Sequence, residues 1–311
     1  MRKISGEQIN KFSEHTHRKN KLLLKDWKDM DFSGQEEIKS TAVELDEEFL
    51  KELETEEVVL EKGEGMFTEK YPLYFVTNAI DLLNERYNFL RFDPNVDIVK
   101  DDYEGGFKVW EGTLDLCNFL YNHGQNFDLN GKNVLEIGCG CGLVGIFCMK
   151  AYELNSICFQ DYNLDVLKFS TLPNIIKNGL EAQIPKTRFI SHDWSTTIEK
   201  VSNNVNELAT KLHEQGSVSA GKFDMILMSE VLYNPDQYPK LGALINELLE
   251  TTGICIISSK LYYFGVNGSV DEFKDFMEEH YPHLSIQTLL EIDNKISNKR
   301  EIFAIGRQNN A

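Results

Sequence analysis

From Phe107 onward, short apolar runs alternate with amphipathic stretches, and this rhythm restricts the fold more than any other feature of the chain. VWEGTLDLCNFLYNHG sets Val109, Leu114, Cys117, Leu120 and Tyr121 at helical spacing and closes at Gly124. There follow NVLEI (133–137), CGLVGIFCMKAY (141–152), SICFQD (156–161), LDVLKFSTLPNIIKNG (164–179) and TRFISHDW (187–194). FDMILMSE (223–230), PKLGALINELLE (239–250), GICIIS (253–258), VDEFKDFMEEHY (270–281), LSIQTLLEI (284–292) and REIFAIG (300–306) complete the series. The strand-like runs are almost wholly apolar, as strands covered on both faces must be. Strand then helix, repeated, predicts an α/β fold built on a mostly parallel, doubly wound sheet. The link 293–299 is too short for a crossover, so the last two strands should form an antiparallel pair at one edge.

Ahead of this region the chain changes character. Of 311 residues, 50 are acidic and 32 basic, for a net charge of -18. Residues 36–64 hold twelve acids against Lys39, Lys51 and Lys62, a net of -9, so half of the charge lies in a short block. Poor in large apolar side chains, residues 1–65 read as a charged extension, partly disordered or helical. Leu45, Phe49, Leu50 and Leu53 allow one amphipathic helix in what is otherwise a solvated arm. Residues 66–102 are aromatic-rich and read as an ordered lead-in packing on the main domain, 103–308, which carries a polar insert at 195–221. An acidic chain repels duplex nucleic acid, so direct nucleic-acid binding is not expected. No apolar run approaches the roughly 18 residues of a membrane span, and MRKISGEQINKFSEHTHRKN lacks the apolar core of a signal peptide. The expected setting is intracellular. Six cysteines without a CxxC pair imply reduced thiols, neither a disulfide framework nor a zinc site, and no metal is expected.

The sharpest local signal is VLEIGCGCGLVGI, 134–146. A buried strand ends at Ile137, and Gly138, Cys139, Gly140 and Gly142 form a turn whose backbone can approach a ligand before a helix begins. Glu136, inside the strand, is expected to meet a cationic ligand, and GxGxG differs from the GxGxxG of nicotinamide-binding folds. The second strand ends in Gln160, Asp161, Tyr162 and Asn163. An acid about 20 residues beyond the turn accepts hydrogen bonds from two ribose hydroxyls in related dinucleotide folds, a role that competes with simple N-capping by Asp161. At the end of the third strand, after His192, Asp193 could accept an adenine amine and Trp194 could cover the ring. The fourth strand ends in Ser229, Glu230 and Tyr233, which should border the reacting group at the switch point of the sheet.

The glycine turn strongly resembles the first motif of seven-strand S-adenosylmethionine-dependent methyltransferases. YEGGFKVWEGTLDL (103–116), QDYN, TLPN (171–174), SEVLYNP and SKLYYFGVNGSVDEF (259–273) narrow the likeness further. In that order, they resemble the eukaryotic histidine protein methyltransferase family, whose substrate is large-subunit ribosomal protein L-three. The resemblance covers about residues 99–306. It implies a Rossmann-like fold, S-adenosylmethionine as cofactor with S-adenosylhomocysteine as product, and a basic, ribosomal protein partner. It also implies that Val109, Trp110, Glu111, Gly112 and Thr113 wall the cofactor pocket and that Ser229 touches it. The family's setting is the cytoplasm and nucleus, and the protein is expected to act as a monomer.

On this reading an imidazole nitrogen displaces the sulfonium methyl group. Glu230 or the Tyr233 hydroxyl is expected to hold the proton on the other ring nitrogen. A lysine protein methyltransferase of the same superfamily is the nearest rival, because Glu230 and Tyr233 also fit an acid-x-x-Tyr pattern. A non-catalytic binding module and a small-molecule methyltransferase, with 195–221 as its lid, are further alternatives.

Overall fold

A computed structural model describes residues 47–58, 60, 71–87, 105–195, 222–295 and 297–308. Residues 1–46 and nearly all of the 195–221 insert lie outside the described residues, so expectations for them are carried no further. The main element is a seven-stranded sheet of β3 (Asn133–Ile137), β4 (Ser156–Asp161), β5 (Thr187–Ser191), β6 (Phe223–Ser229), β7 (Leu249–Lys260), β8 (Leu284–Ile292) and β9 (Arg300–Arg307). Its spatial order is β5-β4-β3-β6-β7-β9-β8. Pairs from β5 through β7 are parallel, whereas β9 runs antiparallel to both β7 and β8, giving the expected antiparallel edge. Among the described residues no helix is long and apolar enough to cross a membrane.

The side-chain period of two sorts β3 between the two layers that cover the sheet. Val134 packs with Leu116 of α3 (Glu111–His123) and Phe147 of α4 (Leu143–Ala151). Leu135 and Ile137 face Leu241 of α7 (Tyr238–Leu248) and Phe273 of α8 (Val270–His280). Gly124 ends α3 as anticipated, but at φ -60°, so it continues into a short 3-10 turn instead of the left-handed stop that glycine usually provides. Between β4 and β5 the chain forms α5 (Leu164–Val166), a π turn (Leu167–Thr171) and α6 (Leu172–Lys177). All six cysteines are buried and unpaired with one another.

At the amino-terminal side, α1 (Glu47–Glu52), β1 (Thr55–Val58), β2 (Leu73–Val76) and α2 (Ala79–Tyr87) precede the sheet. The amphipathic helix allowed in the acidic block is present as α1, and its apolar face, followed by β1, packs on the main domain where a solvated arm would not. Glu48, Lys51, Glu52, Glu54, Glu56 and Glu57 stay exposed, but Phe49, Leu50, Leu53 and Val58 are buried in the core of the main domain. Phe49 sits 5.5 Å from the Phe169 ring. Pairing of β1 with β2 joins residues on both sides of the boundary expected at 65. The free edge of β2 is satisfied by amide side chains. Asn174 Oδ1 accepts Val76 N–H at 2.7 Å, while Asn178 accepts from Tyr74 N–H and donates to its carbonyl.

Candidate active site

At the carboxyl end of β3 the chain turns through Gly138, Gly140 and Gly142 at φ +59°, +51° and +72°. Gly140 has a second reason to be glycine, because a Cβ there would lie 3.0 Å from the Gly106 carbonyl. Neighbouring strands grip the turn. Cys139 N–H donates to the Gln160 carbonyl at 2.9 Å, Gly138 N–H to Gln160 Oε1 at 3.2 Å and Gly140 N–H to Asp161 Oδ2 at 2.9 Å. From behind, Thr171 Oγ1 donates to the Gly140 carbonyl at 2.6 Å and Asn174 Nδ2 to the Cys141 carbonyl at 2.8 Å. The residues of TLPN thus fasten the turn to α6.

Facing it is the end of β6. Ser229 Oγ lies 2.9 Å from Thr113 Oγ1, and Glu230 takes up φ +56°, a left-handed conformation uncommon for a residue with a side chain. Its carboxylate accepts Gly112 N–H at 3.0 Å and the Tyr263 hydroxyl. Burial pushes the Glu230 carboxyl above its ordinary value, opposed by the Tyr263 hydrogen bond, Lys260, the Gly112 amide and Arg300. Gly112 has no room for a Cβ, which would stand 2.7 Å from Glu230 Oε1. Its helix α3 is clamped to β9 by Arg300, which pairs with Asp115 and, at 3.3 Å, with Glu111.

Between these walls lies an open pocket, with about 820 Å³ of unfilled space when the solvent at its mouth is included. It brings together Trp110, Thr113, Gly138, Cys139, Gly140, Asp161, Tyr162, Trp194, Ser229, Glu230 and Tyr233 from the sequence expectations. Asp161 therefore faces the pocket, and Asn163, not Asp161, occupies the N-cap position of α5. At the mouth, Lys108 and Lys260 stand 4.9 Å and 5.0 Å from the centre of the Trp110 ring, within cation–π range.

Several residues expected at the ligand make their contacts within the protein. Glu136 shares the α3/α4 face of β3 with Val134, so its Oε2 accepts Gly145 N–H at 2.8 Å inside the core, and it does not line the pocket. Burial raises its carboxyl to about 8. Asp193 turns away to Lys240 at 3.0 Å and Ser195 N–H at 2.8 Å. Fully buried Gln160 ties three segments together: its Oε1 accepts from Gly138 and from Trp194 Nε1, and its Nε2 donates to the His192 carbonyl. His192 serves through its backbone, and Asn163 N–H donates to Asp161 Oδ1. Val109 packs against the core, Glu111 pairs with Arg300, Gly112 supports Glu230, and Gly142 begins α4. Gly105, Gly106, Lys108, Cys141, Val231, Tyr263 and Val266 complete the lining without having been singled out as site residues. Tyr263 follows the end of β7, where the rule that open sheets bind beyond their carboxyl ends would have pointed.

A family model described as lysine methyltransferase (Methyltransf_16) matches residues 93–279. The chain is 39% identical to a Dictyostelium discoideum protein named Histidine protein methyltransferase 1 homolog, over 67% of this chain and 60% of that one. Its identity to the Bos taurus homolog of that name is 35%, over 60% of this chain and 52% of the relative. A Xenopus tropicalis protein named Protein N-lysine methyltransferase METTL21A is 24% identical, over 64% and 79%. The chain spans between half and three fifths of the length of the two histidine-named relatives. With the family model matching well over half of its residues, in the region that builds the glycine turn, the pocket and the Glu230 wall, the chain belongs to the Methyltransf_16 family of methyltransferases.

Proposed function

We propose that this protein transfers a methyl group from S-adenosylmethionine to a histidine imidazole of a basic protein. The observation that carries the reaction type is the opposition of Asp161 and the Gly138–Gly140 backbone to Ser229 and Glu230 across one pocket. It lies where the strand order reverses between β3 and β6. Histidine as the acceptor is supported by the names of the relatives at 35–39% identity. The residues present suit the cofactor: an acid for ribose hydroxyls, an open glycine backbone, and Trp194 beside a mostly apolar lining. Asp161 would hold the ribose, Trp194 would cover the base, and Thr113 with Ser229 would wall the reacting end. When bound, S-adenosylmethionine supplies an electrophilic methyl group on a positively charged sulfur.

The chain's own residues have a modest task. Free histidine has a pKa of about 6.5, so near neutral pH most imidazole already carries a lone pair and needs alignment more than deprotonation. Glu230 is held by two donors, of about four that a carboxylate can accept. It is suited to accept the N–H of the second ring nitrogen and so fix the tautomer. Tyr233, on the same pocket wall, would share this positioning. A basic ribosomal protein, L-three above all, fits the attraction exerted by a chain of net charge -18. The enzyme would meet it in the cytoplasm or nucleus and act as a monomer.

The lysine reading is favoured by the description of the family and by the Xenopus relative. Incubation with labelled S-adenosylmethionine and basic protein fractions, mapping of the modified residue by mass spectrometry, and a pH profile separate the two. Histidine transfer should level off above about pH 7, whereas lysine, with a pKa of about 10.4, should accelerate nearly tenfold per unit through pH 9. Label on lysine with that continued rise would sink the histidine assignment.

A further inference from the structure

Among the described residues, four large apolar side chains stand exposed, and Tyr262, Phe264 and Val266 are three of them. Phe264 is 77% exposed. A single such residue is ordinary, but three clustered beside a pocket are not. The segment 261–269 has no Asp, Glu, Lys or Arg in an otherwise strongly charged chain. Its shape is fixed. Tyr263 N–H donates to the Gly268 carbonyl at 2.8 Å, Asn267 N–H to the Tyr263 carbonyl at 3.0 Å, and the Tyr262 hydroxyl to Asn267 Oδ1 at 3.2 Å. Gly268 N–H donates to the Tyr233 carbonyl at 3.1 Å, and a Cβ at Gly268 would lie only 2.0 Å from the Leu232 carbonyl. The loop is therefore welded to the backbone of Tyr233. Tyr262 and Phe264 meet edge to face at 5.1 Å, while Tyr263 and Val266 line the pocket itself.

We infer that the Tyr262–Val266 tip docks the acceptor polypeptide by gripping an apolar or aromatic side chain next to the residue that is methylated. The inference rests on the protein-substrate reading above and adds to it what the enzyme recognises beside the acceptor. Position argues for this occupant: Val266 lines the pocket, and Phe264, two residues before it, stands exposed beside it. So does charge, because the acidity of the chain can attract a basic protein broadly, whereas the uncharged tip adds the apolar contact of its exposed Phe264 and Val266. A tip already held in shape also binds without paying to order itself.

The test uses the full chain as wild type, Phe264→Ser and Phe264→Leu. Transfer of label from S-adenosylmethionine to a basic ribosomal-protein fraction is followed over a range of acceptor concentrations. Cofactor affinity is read by calorimetry and oligomeric state by sedimentation. Phe264→Ser should lower kcat/KM about tenfold through the apparent KM for acceptor, as loss of one apolar anchor does. Cofactor affinity should be unchanged, and Phe264→Leu should recover most of the loss. Wild-type rates for Phe264→Ser at every acceptor concentration would overturn the inference. So would a loss of cofactor affinity, which would make the tip a cover for its own pocket, or a wild-type dimer that the serine variant dissolves. No label transfer by the wild type to that fraction would bring down the proposed acceptor, and the inference with it.

Discussion

Glu136 and Glu230 are both buried carboxylates near strand ends, and their surroundings give them different chemistry. Glu136 is fully buried and held only by the backbone amides of Gly145 and Val144, so burial dominates and pushes its carboxyl up to about 8. Because that value lies above the ordinary one near 4.5, the folded state keeps a proton that the unfolded state releases between the two. This group's contribution to stability is therefore full below about 4.5 and is lost as pH rises toward 8. Glu136→Gln should flatten the decline of Tm between pH 6 and 8; melting curves whose slope against pH matches the wild type would refute the assignment. Glu230 has two donors and opens on the pocket. Glu230→Gln should lower kcat about tenfold to a hundredfold, the scale of a misaligned reactant, with cofactor affinity nearly intact by calorimetry. A variant that loses cofactor binding but keeps turnover at saturation would reverse the role given to Glu230. Spacing in the sequence found both acids. The side of the sheet on which Glu136 falls follows from strand alternation, and reading the motif as a ligand-binding unit obscured it.

At the scale of elements, the apolar runs set most boundaries closely, since strands covered on both faces carry their limits in composition. β4, buried along nearly all of its length, fits this account, and β8 also occupies the stretch expected of it although, as the edge strand, it buries only Leu284. Strand β7 begins at Leu249, directly after α7 ends at Leu248, because two buried leucines there serve helix and strand without a loop. The β1–β2 hairpin was not legible: TEEV is half glutamate, a weak strand former, and β2 depends for its second edge on Asn174 and Asn178, roughly a hundred residues away. The π turn 167–171 was equally hidden. It places Thr171 under the glycine turn, and Thr171→Val should leave the Gly140 carbonyl without that donor. The expected cost is about 1–3 kcal/mol of stability, together with severalfold weaker binding of S-adenosylmethionine. Unchanged binding in calorimetry would mean that Thr171 supports the fold but not the pocket.

Across the whole molecule, the doubly wound plan with its antiparallel edge was readable because connection lengths and the alternation of strand and helix leave few topologies open. The assignment of side chains around the pocket was readable only in part. Which wall a residue faces depends on partners such as Lys240 for Asp193 and Arg300 for Glu111, far away in the chain. The place of β9 has a consequence for synthesis. Although it comes last of the strands, it lies inside the sheet and pairs with both β7 and β8. A nascent chain that has not yet yielded Arg300–Arg307 therefore exposes the unpaired edge of β7 and leaves β8 with no neighbour to join. Such edges are templates for wrong pairing. The domain must wait for its final stretch to leave the ribosome before it can close, and a stop codon shortly before Arg300 would yield an aggregation-prone product instead of a trimmed enzyme.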